Sequence, residues 1–508
     1  MVEPAKPYPA VLFSLALPSS RFLSSPMYKR YWPVLVIVVV ILDTIHTFWQ
    51  NYHFPLDGDL VPVIFPAEFY SKVLHDPFGW AVLTRNETYA STNRFFAHIA
   101  TFLYWRQMPH LLQYFTTPIK SLYVASALFS TLCQLLILFA LAAYARIGAG
   151  IRDHKTYWLA ALVLMPLFQT NGFLEQMGIT SWAITYTFAY AFPTGLLLLL
   201  LWPFYAAACR QEPLHLHPVR AVLLVLLMVV IAFNGPIPIA SVAVLLLCIG
   251  IYWAWQQWQR LRRDPAQVTT PARSWLSGQA IGLLGILAVL CIYSLYIGRN
   301  NAESAQTHTL HDLYKLLLAG FKLELTMDWG LPLLILLIII NAQLTRFLVP
   351  YSTDRQRVLH LLRWVGVFAL IFILLLPFGG YRPYRPYLIR TDSIQPVLIG
   401  LLLAYGVSTT FVLHHLRGRI RGAYVSVLAV FLFVFIYADS GTKISTNNDC
   451  EQWTLEQIAQ AKEPVVQVSP YCNVLAWGQI TDAQYSKLNS EMLQYWGITS
   501  SPKLYYQR

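Results

Sequence analysis

Between residues 31 and 438 the chain returns repeatedly to apolar runs of bilayer-spanning length, and this pattern restricts the fold more than any other feature. A hydrocarbon core offers no water to backbone N–H and C=O groups, so it admits only helices and closed barrels. A spanning helix needs roughly 20 predominantly apolar residues. Eleven segments qualify: 31–50, 120–144, 157–169, 185–208, 219–233, 237–255, 275–297, 331–344, 364–378, 394–414 and 423–438. Three of them are short enough to break or tilt. Composition agrees, because 12% of the 508 residues are charged, about half the share expected of a soluble domain. The expected fold class is an all-α polytopic membrane protein with about eleven transmembrane helices and no separate soluble catalytic domain.

The formal charge of +12 is dispersed rather than gathered into one basic face, which argues against a nucleic-acid partner. Every second connection is basic; of those between, two carry no Lys or Arg and the longer ones carry charges of both signs. The first set is Lys6, Arg21, Lys29 and Arg30, and the next is Arg146, Arg152 and Lys155. Arg210 and Arg220 follow, then "RLRR" with Arg273, then Arg346, Arg355, Arg357 and Arg363, and finally "RGRIR" from Arg417. By the positive-inside rule these connections and the N-terminus are cytoplasmic. An odd number of spans then places the C-terminus outside. "AVLFSLAL" near the start has no basic region close before it and no cleavage site after it, so a cleaved signal peptide is not expected. No Gly-rich phosphate loop is present, which argues against a nucleotide-driven transporter.

Three outer segments are large enough to act: the first loop at 51–119, a second at 298–330, and the tail at 439–508. The spacing in "NRFFAHIATFLYWRQM" puts Phe95, Phe96, Ile99, Phe102 and Leu103 on one face of a helix lying in the membrane interface. "HDLYKLLLAGFKLEL" predicts another interfacial helix. The division expected is a transmembrane domain over 1–438 and a small α/β extracytoplasmic cap over 439–508. The cap is predicted from alternation in "PVVQVSPYCNVLAWG" and a helical pattern in "TDAQYSKLNSEMLQYW". Cys450 and Cys472 are the one cysteine pair in a polar segment, and an oxidising compartment allows them to bridge. Cys133, Cys209, Cys248 and Cys291 lie in or beside apolar spans without metal-like spacing.

The first outer loop opens on "HFPLDGDLVPVIFPAEFY". Asp57 and Asp59 flank a Gly that permits a tight turn, so both carboxylates can approach one point. Such a pair holds a divalent cation, Mg or Mn, or supplies a general base; a solvated acidic turn is the structural alternative. A second group is "GGYRPYRPYLIRTDS", where Arg382, Arg385 and Arg390 alternate with Tyr381, Tyr384 and Tyr387 just past a span. Arg forks match phosphate oxygens, while ordinary lipid head groups are the plainer partner. Glu175 and Gln176, at the outer end of the third span, either join a polar cavity and bind sugar hydroxyls or are interfacial residues. Asp43 and His46 share one face of the first span, either for proton coupling or as a hydrogen-bonded pair beneath the Asp57 loop. His308 and His311 have no metal-ligand spacing that outweighs a polar loop.

An acidic motif just past the first span, an interfacial helix in the long loop that follows, about eleven spans and an outer C-terminal cap together resemble the GT-C superfamily of integral membrane glycosyltransferases. The resemblance is one of topology over most of the chain, with no particular family matched. It implies Asp57 or Asp59 as catalytic base or metal ligand, with Glu68 and Asp76 as further acidic members of the site. The implied donor is a polyprenyl-phosphate sugar, with Arg382, Arg385 and Arg390 on its phosphate. The acceptor is a lipid, glycan or protein at the outer face, and the location a bacterial inner membrane. The competing classes are a lipid-linked glycan flippase, for which the spans carry few ionisable residues, and a ligase-like enzyme relying on outer-loop Arg and His.

Overall fold

Thr117, Ser277 and Ser352 each precede a long apolar stretch, and each side chain accepts a backbone N–H of the turn that follows, from Lys120, Ala280 and Arg355. These caps satisfy donors that a helix leaves unpaired, so the spans begin where the polar residue sits. The computed structural model describes residues 26–66, 68–262, 275–303, 308–382, 387–441 and 447–508. Among them nine helices are long and apolar enough to cross a membrane: Val34–Tyr52, Pro118–Gly148, Ile184–Arg210, Pro236–Gln259, Gly278–Gly298, Gly330–Leu348, Thr353–Gly379, Gln395–His415 and Gly418–Ser440. The protein is a multi-pass membrane protein built almost wholly of helices.

Two of the eleven expected spans are helical but short. Segments 157–169 and 219–233 fold as His154–Leu164 and Pro218–Ala232, with 11 and 15 residues. At 1.5 Å per residue these reach about 17 and 23 Å, less than a hydrocarbon core of about 30 Å. The first is stopped by Pro166, inside the 3-10 turn Met165–Leu167.

Gln395–His415 is the central helix, with 83% of its apolar window buried against 11% for the peripheral Thr353–Gly379. Polar side chains join it to its neighbours. Asn341 Nδ2 donates to Ser408 Oγ and Thr409 Oγ1 at 3.1 and 2.9 Å, and Tyr424 OH donates to Asn341 Oδ1 at 2.8 Å. Such bonds fix register where lipid gives no hydrophobic drive between helices. Outward residues such as Leu42, Ile45, Val430 and Phe433 are exposed, as expected of lipid-facing surface.

The first long loop holds four helices, Leu60–Ile64, Glu68–His75, Trp80–Arg85 and Phe95–Leu112. The last covers the segment expected to form an interfacial helix. Its protein-facing side carries Ala97, His98, Thr101, Trp105 and Pro109, while Phe95, Phe96, Ile99 and Phe102 are only partly covered and Leu103 is exposed. Phe95 and Phe96 pack against the core that includes Phe233 and Ile297, so the expected apolar stripe is partly engaged by the protein, while the side carrying Trp105 is the more deeply buried.

Beyond the last span, helix Asp449–Gln460, strand β1 (Val465–Val468), helix Lys487–Tyr495 and strand β2 (Leu504–Gln507) form a small α/β unit whose two strands pair in parallel. The Cys450–Cys472 disulfide is present, with Cα atoms 5.7 Å apart. Lys503 Nζ donates to the carbonyls of Ile458, Ala459 and Ala461, closing the C-terminus of the first cap helix. The unit shares a core with the first loop, in which Leu56, Leu60, Ile64 and Trp105 meet Leu455, Leu493, Trp496 and Tyr505. Trp496 Nε1 donates to the Trp105 carbonyl at 3.1 Å, and Gln113 Nε2 donates back to that of Trp496 at 2.8 Å. The end of the helix bundle that carries this unit is called the cap face below.

Candidate functional site

The Asp57–Gly58–Asp59 turn is covered by the cap. A Cβ on Gly58 would lie 2.5 Å from the Trp477 backbone nitrogen and 2.9 Å from the Ala476 carbonyl carbon, so glycine is needed for that close approach. Asp57 points inward and is 1% exposed. Its Oδ1 accepts Thr185 Oγ1–H at 2.7 Å and Asp59 N–H at 3.1 Å, and its Oδ2 accepts Thr185 N–H at 3.0 Å. Burial pushes its pKa up to about 6, opposed by the Thr185 bonds and aided by the charge of Asp59. Asp59 is partly exposed, and its Oδ1 accepts Trp477 Nε1–H at 2.9 Å. With both Asp57 oxygens taken, the pair does not fit the expected divalent cation. Among the described residues no group of three His, Cys, Asp or Glu could hold a metal.

Behind Asp57 sits Glu451, which the sequence reading did not single out. It accepts Leu56 N–H and Tyr123 O–H at 2.9 Å each and Leu475 N–H at 3.0 Å. One carboxyl thus ties the first loop, the second span and the cap together. Burial raises it to about 7, and the charge of Asp57 adds to the shift.

Trp477 connects this turn to a cavity. Its ring packs on Trp182 and Tyr186, with centroids 5.5 and 5.8 Å apart. Those two residues, with Tyr190, Glu175, Arg390 and Asp392, line a pocket of about 190 Å³ on the cap face. Trp182, Tyr186 and Tyr190 recur at intervals of four, and the last two lie on the first turns of the third long span, where Thr187–Ala191 is a π-turn. Such bulges often mark functional positions. Gln395 Nε2 donates to the Ile179 carbonyl at 2.7 Å and holds the facing wall. Arg390 pairs with Asp392 inside the pocket. Burial raises the carboxyl of Glu175 above its usual range.

The backbone leading to Glu175 is unusual. Phe173, Leu174 and Glu175 have φ of 52°, 50° and 64°, a left-handed run that costs on the order of 1–2 kcal/mol per residue. The run is held from both ends. Asp439 Oδ1 accepts the N–H groups of Thr170, Asn171 and Gly172 at 2.8, 2.8 and 3.0 Å. Gln176 Oε1 accepts Leu331 N–H at 2.8 Å, and its Nε2 donates to the Glu324 and Asp328 carbonyls. Gln176 therefore positions the wall rather than facing the cavity.

The remaining expected residues separate. Arg382 pairs with Glu303 at 2.5 Å, and Arg94 approaches the same carboxylate at 3.8 Å. Burial draws Glu303 upward, but the two guanidinium groups outweigh it and hold the carboxyl below its usual range. His98 beside this group is lowered to about 4, by burial first and then by Arg94, so its imidazole is neutral at pH 7. Asp76 is filled by Trp80 N–H, Ala81 N–H and Tyr89 O–H at 2.7, 2.9 and 2.9 Å, so it caps the Trp80–Arg85 helix. Glu68 is exposed on the first turn of its helix. Tyr384 and Arg385 lie outside the described residues. Asp43 and His46 do not form a pair, because His46 is exposed and stacks on Trp49 at 6.2 Å.

The structure thus gathers Glu175 and Arg390, sets Asp59 one indole ring away, and leaves Asp57, Asp76 and Glu68 off the cavity wall. Trp182, Tyr186, Tyr190 and Asp392 are additions. The i, i+4 spacing of the three aromatics was the available signal, masked by the many Trp and Tyr at span ends. No family profile matches the chain, and no curated protein matches it.

Proposed function

We propose that the protein is a membrane glycosyltransferase that moves one sugar from a polyprenyl-phosphate carrier to a lipid, glycan or protein acceptor at the outer membrane face. The observation that carries this reading is the composition of the cavity: three aromatic rings, two carboxylates and one guanidinium around about 190 Å³. Drug-sized sites measure roughly 300–1,000 Å³, so this one suits a single sugar ring with the prenyl chain left in the bilayer. Aromatic faces suit the C–H faces of a sugar, and an Arg fork suits the phosphate.

In this reading Glu175 takes the proton of the acceptor hydroxyl. Burial weakens Glu175 as an acid and so makes its carboxylate a better base, which favours a general-base role. The hydroxyl oxygen bonds to the anomeric carbon as the bond from that carbon to the phosphate oxygen breaks. The electron pair leaves with polyprenyl phosphate, whose charge Arg390 stabilises once Asp392 yields to it. Asp59, at the rim beside Trp477, orients the acceptor. No step is routed through a metal. Cytoplasmic N-terminus, outer C-terminus and residence in a bacterial inner membrane belong to the same proposal, on the charge distribution of the connections.

A flippase is the second reading, favoured by one observation: Asp43 and Asp439 lie within electrostatic reach of each other at the cap end of the bundle, polar content that a transport path would use. Proteoliposomes loaded with radiolabelled polyprenyl-phosphate sugars separate the two. Release of polyprenyl phosphate with the sugar on an acceptor supports transfer, whereas transbilayer movement of intact lipid without cleavage supports the flippase.

A further inference from the structure

A second, smaller pocket lies between the first two long spans and the Met165–Leu167 turn. It encloses about 10 Å³ and is lined by Asp43, Thr44, Thr47, Thr131 and Gln134 on its polar side, closed by apolar residues including Leu138 and Phe168. This is about the room one water occupies. Thr131 and Gln134 are 5% and 4% exposed, and Thr131 Oγ1 and Gln134 Oε1 have no hydrogen-bond partner. Buried polar oxygens are normally satisfied, so two orphans on one small pocket point to a missing occupant. Gln134 Nε2 is already spent on the Phe168 carbonyl at 3.3 Å and Thr47 Oγ1 at 3.5 Å, which leaves the amide oxygen as the end that faces a ligand.

Charge indicates what kind of ligand. Among the described residues neither Asp43 nor Asp439 has a Lys, Arg or His ion-pair partner. Asp439 is compensated by three backbone N–H groups and by Gln50 Nε2 at 3.0 Å. Asp43 has no such set, and the charge of Asp439 reaches it. A half-buried carboxylate inside a span, lining a pocket without donors to compensate it, calls for a positive partner. The available donors are all oxygen, hard ligands suited to a hard cation. One carboxylate with neutral oxygens balances a single positive charge, whereas dedicated divalent sites draw on several carboxylates.

We infer that Asp43, Thr131 and Gln134 form a binding site for one dehydrated sodium ion between the first two long spans. The site is independent of the reaction proposed for the cavity.

The test is thermal unfolding of the purified full-length protein in nanodiscs at pH 7.5 and constant ionic strength, in sodium, potassium or N-methylglucamine chloride. The expected result is a saturable rise in midpoint of about 2 °C with sodium alone. Asp43→Asn abolishes it, and the near-isosteric Thr131→Val weakens it at least several-fold in sodium concentration. An identical midpoint in all three salts for the wild type would overturn the inference, and would mean a trapped water or a protonated Asp43. A sodium-specific rise that survives in both variants would also overturn it, by placing the ion elsewhere. Should Asp43→Asn not fold, Thr131→Val alone decides between the outcomes.

Discussion

At the scale of single residues, Asp57 and Glu175 exchange the importance that their sequence positions imply. Asp57 sits in the more conspicuous motif, yet its oxygens accept three donors from Thr185 and Asp59, while Glu175 reaches the cavity from an unremarkable stretch. An Asn at position 57 keeps one acceptor oxygen and turns an NH₂ toward donors. Asp57→Asn is therefore expected to lower unfolding stability by about 1–3 kcal/mol while the folded fraction keeps its turnover within a few-fold. Denaturant unfolding and an activity assay on the same sample check this. A turnover loss of a hundredfold without a stability change would return the catalytic role to Asp57. The Asp-Gly-Asp motif was legible in the sequence; that Asp57 is engaged depends on Thr185, 128 residues away, and no local pattern reports that.

At the scale of elements, the spans were legible because apolar runs are local, and every one of the eleven segments is helical. Pro166 shortens one segment, whereas Pro218–Ala232 matches its expected 15 residues within one position. The cap was legible as a strand, a helix and a disulfide, whereas β2, which pairs with β1 across some 40 residues, carried no signal of its own. Cap docking yields two predictions. Gly58→Ala would push a methyl against the Trp477 backbone, so the cap should loosen, and limited proteolysis within 447–508 should speed up at least several-fold; an unchanged cleavage rate would mean that the contact is dispensable. Docking should also depend on pH. Glu451 is raised in the folded state from 4.5 to about 7, so its contribution is fully present below pH 4.5 and fades as pH climbs through 7. Raised Asp57 acts in the same direction over a lower window, from 3.8 to about 6. The part of the stability carried by these two carboxyls should therefore fall from pH 5 to pH 8 by on the order of 2 kcal/mol, against the opposite trend of lowered His98, and Glu451→Gln should remove most of that fall. A pH profile unchanged by Glu451→Gln would contradict the assignment.

At the scale of the whole molecule, a helical bundle, a loop of short helices and a small cap converge on one end, and the cavity lies there. Its walls come from the stretch before the third long span and from the connection that follows Thr353–Gly379, and the indole of Trp477 from the cap stacks against them. The alternation of apolar helices with longer polar connections was readable from spacing. The meeting of Glu175 with Arg390, more than 200 residues apart, was not. The central claim is that a sugar leaves its lipid phosphate in this cavity with Glu175 as base. The most direct measurement is the rate of polyprenyl phosphate release from a radiolabelled polyprenyl-phosphate sugar by wild type and Glu175→Gln in nanodiscs. Loss of a positioned base should slow release by about 10²–10⁴-fold with donor binding retained. Equal rates in the two proteins, or no release by the wild type from any donor, would contradict the account.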